Sequence, residues 1–351
     1  MPVALVNGVR LNYVQLDDGG SDAREDLVMV HGLATNMAFW YFKYGVALTN
    51  RFRVTLYDLR GHGRSDMPQS GYTPEVLARD LVALLDHLGI DAAHVMAHSF
   101  GGVVALNLAC EQPHRVRSLV LADSHLSAGR KVQARSEWAF GQEFQPLLDR
   151  HGVDLDTSDP YFGPKLLIRV AEWQLLGREV PPELAELVSP LLGKTGKRTS
   201  SEWLKLMKST DAEAEMTRDD GLTLERLREL RFPIIAMYGD KSPARLSGAE
   251  LLSIWPHAEF RRVRDAGHFF PTLKPDEVLA SCLRFWDGES AEQAHRQRAG
   301  EERRSYFRSD RVFASDGDWF FSTRDGDRVG PFSAREDASQ ALAGFMSGAK
   351  S

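Results

Sequence analysis

Short apolar runs of strand length alternate with stretches of helical period along the first third of the chain. Leu27-Val28-Met29-Val30, Val54 to Tyr57, His94 to His98 and Ser118 to Ala122 read as strands, with Thr73 to Leu88 and Gly101 to Glu111 as helices between them. That alternation predicts an α/β fold, a mostly parallel sheet with helices on both faces. At the start, apolar alternation broken by Asn7-Gly8 predicts a hairpin turn.

The pattern breaks after Asp123. From 127 to 231 the period is helical, with no strand-like run and many large apolar residues: Trp138, Phe140, Phe144, Tyr161, Phe162, Leu166, Trp173, Leu175, Trp203 and Met207. Strands and helices return with Phe232 to Gly239, Ala249 to Trp255, Phe260 to Val263 and Glu277 to Trp286. The reading is therefore a core built from 1–126 and 232–288, interrupted by a helical insertion at 127–231. A charged linker at 289–304 follows. A small α+β module at 305–351 ends the chain, with Arg311 to Ala314, Trp319 to Arg324 and Val329 to Phe332 as strands separated by Asp-Gly turns, then an amphipathic helix from Ala334 to Met346.

Composition narrows the function classes. The 351 residues carry a net charge of −6 with both signs interspersed, which gives no basis for nucleic-acid or anionic-membrane binding. No apolar run approaches the ~18 residues of a membrane span, and the start lacks a basic segment followed by an apolar core. Only two cysteines occur, Cys110 and Cys282, both in apolar helical stretches; buried core positions in a reducing cytoplasm are expected for them. There is no P-loop, dinucleotide fingerprint or Cys/His cluster with metal-ligand spacing, so chemistry without a cofactor or metal is expected.

The candidate chemistry sits at strand ends. In Val95-Met96-Ala97-His98-Ser99-Phe100-Gly101-Gly102 a strand turns at a serine into a glycine-opened helix, with small residues two before and two after it. Such a turn projects the serine hydroxyl, which needs an adjacent base to attack a carbonyl at neutral pH. His268, in Asp265-Ala266-Gly267-His268 after a strand, is the candidate base among eleven histidines. His62, His94, His98, His151 and His257 read as loop, strand-end or surface residues.

With His31-Gly32-Leu33 after the strand at 27–30, and Asp58 to Ser65 between the two motifs, residues 1 to 288 resemble the α/β-hydrolase fold superfamily. The resemblance implies an oxyanion hole from the backbone N–H groups of Leu33 and Phe100, a bracing role for His31, and a helical cap at 127–231 whose aromatics form its core or line an acyl pocket. It implies that the loop from Asp58 to Ser65 shapes the pocket floor and braces the loop of the base. The usual place for the acid, three residues after the glycine ending the seventh strand, holds Ser242. Two substitutes are open: Asp123, at the end of the preceding strand, and Asp240, in the same turn as Ser242. Asp123 is the expected partner of His268. The C-terminal module resembles small appended domains, with docking onto its own hydrolase domain, a protein partner or a second subunit as its expected role.

The expected function is a serine hydrolase that cleaves an ester or thioester of a medium or long apolar acyl group, presented on a small molecule or a carrier, through an acyl-serine. Acyl transfer and the hydrolysis of lactones or carbon–carbon bonds use the same Ser and His. An aspartate at the elbow, as haloalkane dehalogenases and epoxide hydrolases of this fold carry, is absent. A non-catalytic binding or scaffold protein on this fold is the alternative from another class.

Overall fold

In the computed structural model the described residues are 2–17, 19, 24–127, 139–157, 159, 161–185, 187–288, 312–315, 318–322, 328–332 and 337, with backbone alone described for 139–144 and for the three segments between 312 and 332. Eight strands form one sheet: β1 (Val3–Val6), β2 (Val9–Leu16), β3 (Glu25–Val30), β4 (Phe52–Tyr57), β5 (Ala93–His98), β6 (Val116–Ala122), β7 (Ile234–Gly239) and β8 (Glu259–Val263), in the order β1-β2-β4-β3-β5-β6-β7-β8. β1 and β2 join through Asn7 and Gly8, both at positive φ (48° and 75°), the backbone that lets a two-residue turn follow the strand twist. β2 pairs antiparallel with β4; from β4 through β8 every pairing is parallel.

The apolar runs divide by the two-residue period of a strand. Val28, Val30, Val95, Leu119, Leu121 and Ala236 pack into the core on one face; Leu27, Met29, Met96, Val120, Ile235 and Met237 pack into a separate core on the other. Helices α1 (Pro74–His87) and α2 (Phe100–Glu111) cover the first face together. In α1, Thr73 caps the N-terminus by accepting from Val76 N–H, and Pro74 follows where no N–H is needed. Positions 100–109 of α2 are all buried, so this helix runs through the interior.

Between β6 and β7 the described residues form helices and no strand. The longest are α3 (Ala139–Arg150), α4 (Phe162–Leu175) and α5 (Gly196–Ser209), with α4 packed on α5. Trp173, Trp203 and Met207 are buried there, whereas Leu175, at the end of α4, is 49% exposed and belongs to neither a core nor a pocket. Trp138 and the side chains of Phe140 and Phe144 lie outside the described residues. α6 (Arg245–Ile254) follows β7, and α7 (Pro275–Trp286) follows β8. Cys282 is buried in α7, while Cys110 in α2 is only half-buried; both are free thiols.

Near the C-terminus, β9 (Val312–Ser315), β10 (Asp318–Ser322) and β11 (Arg328–Phe332) form an antiparallel meander. The expected Asp-Gly turns between them lie outside the described residues, as does the helix expected from Ala334 to Met346, except for Asp337. Among the described residues no helix is long and apolar enough to cross a membrane.

Candidate active site

Parallel strands ending at one edge of the sheet bring their following loops together. Ser99 sits in the turn from β5 to α2 at φ 56° and ψ −124°, outside the regions a non-glycine residue ordinarily occupies. Its N–H donates to the Ala122 carbonyl at 2.9 Å, pinning the turn to the end of β6. The turn tolerates this because Gly101 lies against β3: a Cβ there would fall 2.4 Å from the His31 oxygen.

Three side chains from three strand ends then line up. Ser99 Oγ lies 2.8 Å from His268 Nε2, and His268 Nδ1 lies 2.7 Å from Asp123 Oδ2. With Nδ1–H donating to the carboxylate, Nε2 is left to accept the serine proton. Asp123 is fully buried, and its other acceptor positions are also used: Gly239 N–H donates to Oδ1 at 2.9 Å, and the Ser242 hydroxyl donates to Oδ2. The usual position of the acid, held here by Ser242, thus supplies a donor to the carboxylate at the end of the preceding strand. Asp240 points elsewhere, accepting from Ala266 N–H at 3.2 Å and pairing with Arg262 at 3.3 Å. It braces the loop that carries His268 without touching the imidazole.

His31 braces its loop as expected, and the loop from Asp58 differs from expectation in two respects. Leu59 N–H donates to His31 Nε2 at 3.1 Å, and Asp58 accepts from Met37 N–H at 2.8 Å, so this loop braces the segment carrying Leu33 rather than the loop carrying His268. Burial holds His31 below its ordinary range and takes His62 down to about 3, so both rings are neutral in the fold. His62 is buried 6.0 Å from the Trp203 ring of α5, and the loop supplies no residue to the cavity floor. His94 is half-buried between Ser118 and Glu25; His151 and His257 are exposed.

His98, in sequence an ordinary strand-end residue, is the one least expected at the site. Fully buried beside Ser99, it places its Nε2 2.9 Å from the His268 carbonyl and its ring 4.9 Å from the His268 ring. Burial, with the neighbouring imidazole adding to it, holds His98 well below its ordinary range.

A cavity of about 120 Å³ opens over Ser99 and His268. Leu33 and Phe100 from the strand-end loops line it together with Phe162, Leu166, Leu167 and Met216 from the helices between β6 and β7. The lining is apolar apart from Ser99, His268, His125 and Asp159, and Asp159 is engaged by Lys165 and by Tyr161 N–H at 2.7 Å. Phe100 is the first residue of α2, where a backbone N–H has no intrahelical acceptor. The cavity therefore brings a hydroxyl hydrogen-bonded to an imidazole into a largely apolar lining. Among the described residues no His/Cys/Asp/Glu group is placed to hold a metal.

Residues 27–275 match the family model described as alpha/beta hydrolase fold, and residues 297–350 match a domain of unknown function, DUF6316. The chain is similar to the "Putative carbamate hydrolase RutD" of Caulobacter vibrioides, 37% identical over 292 residues that cover 82% of this chain and 98% of the relative. It is similar to the dihydrolipoyllysine-residue acetyltransferase component of the acetoin cleaving system of Pseudomonas putida, 39% identical over 80% of this chain and 68% of the relative. A soluble epoxide hydrolase of a Corynebacterium species is 27% identical over 81% of this chain and 96% of its own length. Among solved structures, Est816, described as an N-acyl homoserine lactone degrading enzyme, superposes with a TM-score of 0.54 at 26% identity, covering 81% of this chain and all of that one. The chain belongs to the alpha/beta hydrolase fold family.

Proposed function

We propose that this hydrolase cleaves an ester or thioester of an apolar acyl group through an acyl-serine at Ser99, with no cofactor. One observation carries the reading: Ser99 Oγ, His268 and Asp123 form a continuous chain of hydrogen bonds, 2.8 Å and 2.7 Å, on the floor of an apolar cavity. Ser99 Oγ attacks the acyl carbon while His268 Nε2 takes its proton. Asp123 stabilises the imidazolium, and the N–H groups of Leu33 and Phe100 receive the negative charge that develops on the carbonyl oxygen. Collapse expels the alcohol or thiol, which takes the proton from His268. Water, deprotonated by the same nitrogen, then releases the acid and restores Ser99.

The helices between β6 and β7 act in this reading as a cap, and their apolar side chains take the acyl chain. An alkyl ester on the enzyme, the route by which epoxide hydrolases of this fold act, needs a carboxylate where Ser99 stands, so the acyl route is favoured despite the epoxide hydrolase relative. The acetyltransferase relative supports a second reading, transfer of the acyl group from Ser99 to an acceptor other than water. The free thiols Cys110 and Cys282 fit a reducing compartment such as the cytoplasm.

Intact-mass spectrometry after incubation with esters and thioesters of graded chain length tests the proposal. The acyl mass should appear on wild type and be absent from Ser99→Ala; adducts of equal yield on both would overturn it. Adding an alcohol or thiol acceptor and measuring acylated acceptor against free acid separates transfer from hydrolysis.

A further inference from the structure

We propose that His98 is a positioning residue: through its bond to the His268 backbone it ties the base to the strand that carries the nucleophile. The proposal rests on the serine reading of the site. Its basis is a closed circuit of contacts. Ser99 Oγ meets His268 Nε2 at 2.8 Å, the His268 carbonyl meets His98 Nε2 at 2.9 Å, and His98 is joined to Ser99 by a peptide bond. Because a carbonyl only accepts, Nε2 carries the proton and His98 is the neutral Nε2–H tautomer.

Further braces on the His268 loop come from the turn after β7. Lys241 N–H donates to the Ala266 carbonyl at 3.0 Å, and Ala266 N–H donates to Asp240. Those contacts fix the loop to the strand next to Asp123. His98 fixes the same loop to β5, so the distance between base and nucleophile is set from both sides.

The imidazole is itself held rigidly. It stacks on Phe39 with ring centroids 4.8 Å apart and planes at 19°, with Trp40 nearly perpendicular to it at 6.4 Å and Phe269 tilted at 5.5 Å between centroids. Its Nδ1 is buried without a hydrogen-bond partner and faces Gly32, whose Cβ, if it had one, would lie 3.3 Å away. An unpaired buried acceptor is unfavourable, and a hydrocarbon of similar size would avoid it. What the imidazole supplies that a hydrocarbon cannot is the N–H to His268.

The experiment compares His98→Leu, His98→Asn and His98→Gln in the full chain. Leu removes the donor, Asn keeps an amide too short to reach, and Gln places an amide N–H at the depth of Nε2. Each variant is read by its rate of Ser99 labelling by a fluorophosphonate, by kcat and KM on a p-nitrophenyl ester, and by Tm. A base displaced by ~1 Å costs on the order of 100-fold, so Leu and Asn should lower labelling and kcat by about 10- to 100-fold with KM little changed. Gln should recover to within about tenfold of wild type even if its Tm is no higher than that of Asn. Labelling at wild-type rate in all three, or losses that follow Tm with no advantage for Gln, would overturn the proposal. Absence of Ser99 labelling in wild type would instead remove the serine reading beneath it.

Discussion

The strand-end loops and the helices between β6 and β7 enclose one cavity by opposite means. At the strand ends the contacts are polar, short and backbone-anchored: a Cβ on Gly239 would fall 2.3 Å from the Ala266 oxygen, and Asp123 accepts from three donors, on the ends of two strands, while fully buried. The helices present Phe162, Leu166, Leu167 and Met216, hydrocarbon fitted by shape alone. Their polar ties to the rest of the molecule lie away from the cavity. Ser127 donates from N–H and Oγ to Asp220, each at 2.6 Å, clasping both ends of the insertion, and Gly71 N–H donates to Glu215 at 2.8 Å. In the proposed reaction bond making tolerates little displacement, which suits groups on backbone-anchored strand ends, and accommodation of an acyl chain tolerates more. Changes at the strand ends should therefore alter kcat, and changes in the helices should alter which substrate is preferred.

The largest effect that would sharpen this contrast is at Ser99. Ser99→Ala should lower kcat on the order of 10⁶-fold, His268→Ala should be comparably damaging, and the double variant should be little worse than either, because the two act as a unit. Steady-state kinetics on one ester settles the point. Multiplying losses in the double variant would mean that Ser99 and His268 do not serve one step.

The two aspartates near the site come next. Asp123→Asn keeps the shape but cannot hold the imidazole in the right tautomer, and a loss approaching ~10⁴ in kcat is expected. Asp240→Asn keeps an acceptor for Ala266 N–H and should cost less than about tenfold. Ser242→Asp should recover part of the activity of Asp123→Asn, since Ser242 already lies within hydrogen-bond reach of the Asp123 carboxylate. The reverse ranking of the two Asn variants would move the acid role to Asp240.

Smaller effects belong to the helical wall. Leu166, 2% exposed, lines the cavity from α4, and Leu166→Ala should open room for roughly one further bend of an acyl chain. Because one methylene in an apolar pocket is worth only about 1–3 kcal/mol, the shift in kcat/KM between short and long chains should be about tenfold, with fluorophosphonate labelling of Ser99 unchanged. A loss of labelling as large as that of His268→Ala would mean that the helices help to assemble the bond-making groups, and the division drawn here would fail.

Much of this was legible in the chain because it is encoded locally. The two-residue period of the strands separates Val28 and Val30 from Leu27 and Met29 onto two cores, and the small residues around Ser99 mark a turn that must press against a neighbouring strand. Partners far apart in sequence were not legible in the same way. Ser242 is an ordinary turn residue until β7 is laid beside β6 and its hydroxyl meets Asp123. His98 looks like a strand-end residue until the loop after β8 folds back over β5, bringing the His268 carbonyl to its ring. Leu175 was misleading for a different reason: it follows the apolar period of α4 at the helix end, where the wall has already stopped. Periodicity reports which face a residue shares, not how far the neighbouring surface extends.

The smallest effect concerns the C-terminal segment, and it tests whether the contrast between the two regions is complete without it. The two family matches, 27–275 and 297–350, do not overlap, and the charged run 289–304 begins in the gap between them and continues into the second. Every described residue lining the cavity lies between Leu33 and Phe269. From Val312 to Phe332 the chain forms its own three-stranded meander, and its sequence brings no nucleophile, base and acid together. Ending the chain near Ala291 should therefore leave the rate of fluorophosphonate labelling at Ser99 within about twofold of the full chain, well inside the ~1.4 kcal/mol that a tenfold change would represent. The readouts expected to move are oligomeric state, measured by size-exclusion chromatography with light scattering, and turnover of an acyl group presented on a carrier protein compared with the same acyl group on a small thiol. A shortened chain with the far-ultraviolet circular dichroism and Tm of a folded protein, yet no labelling at Ser99, would show that the last segment completes the site, and the cavity would need a third wall.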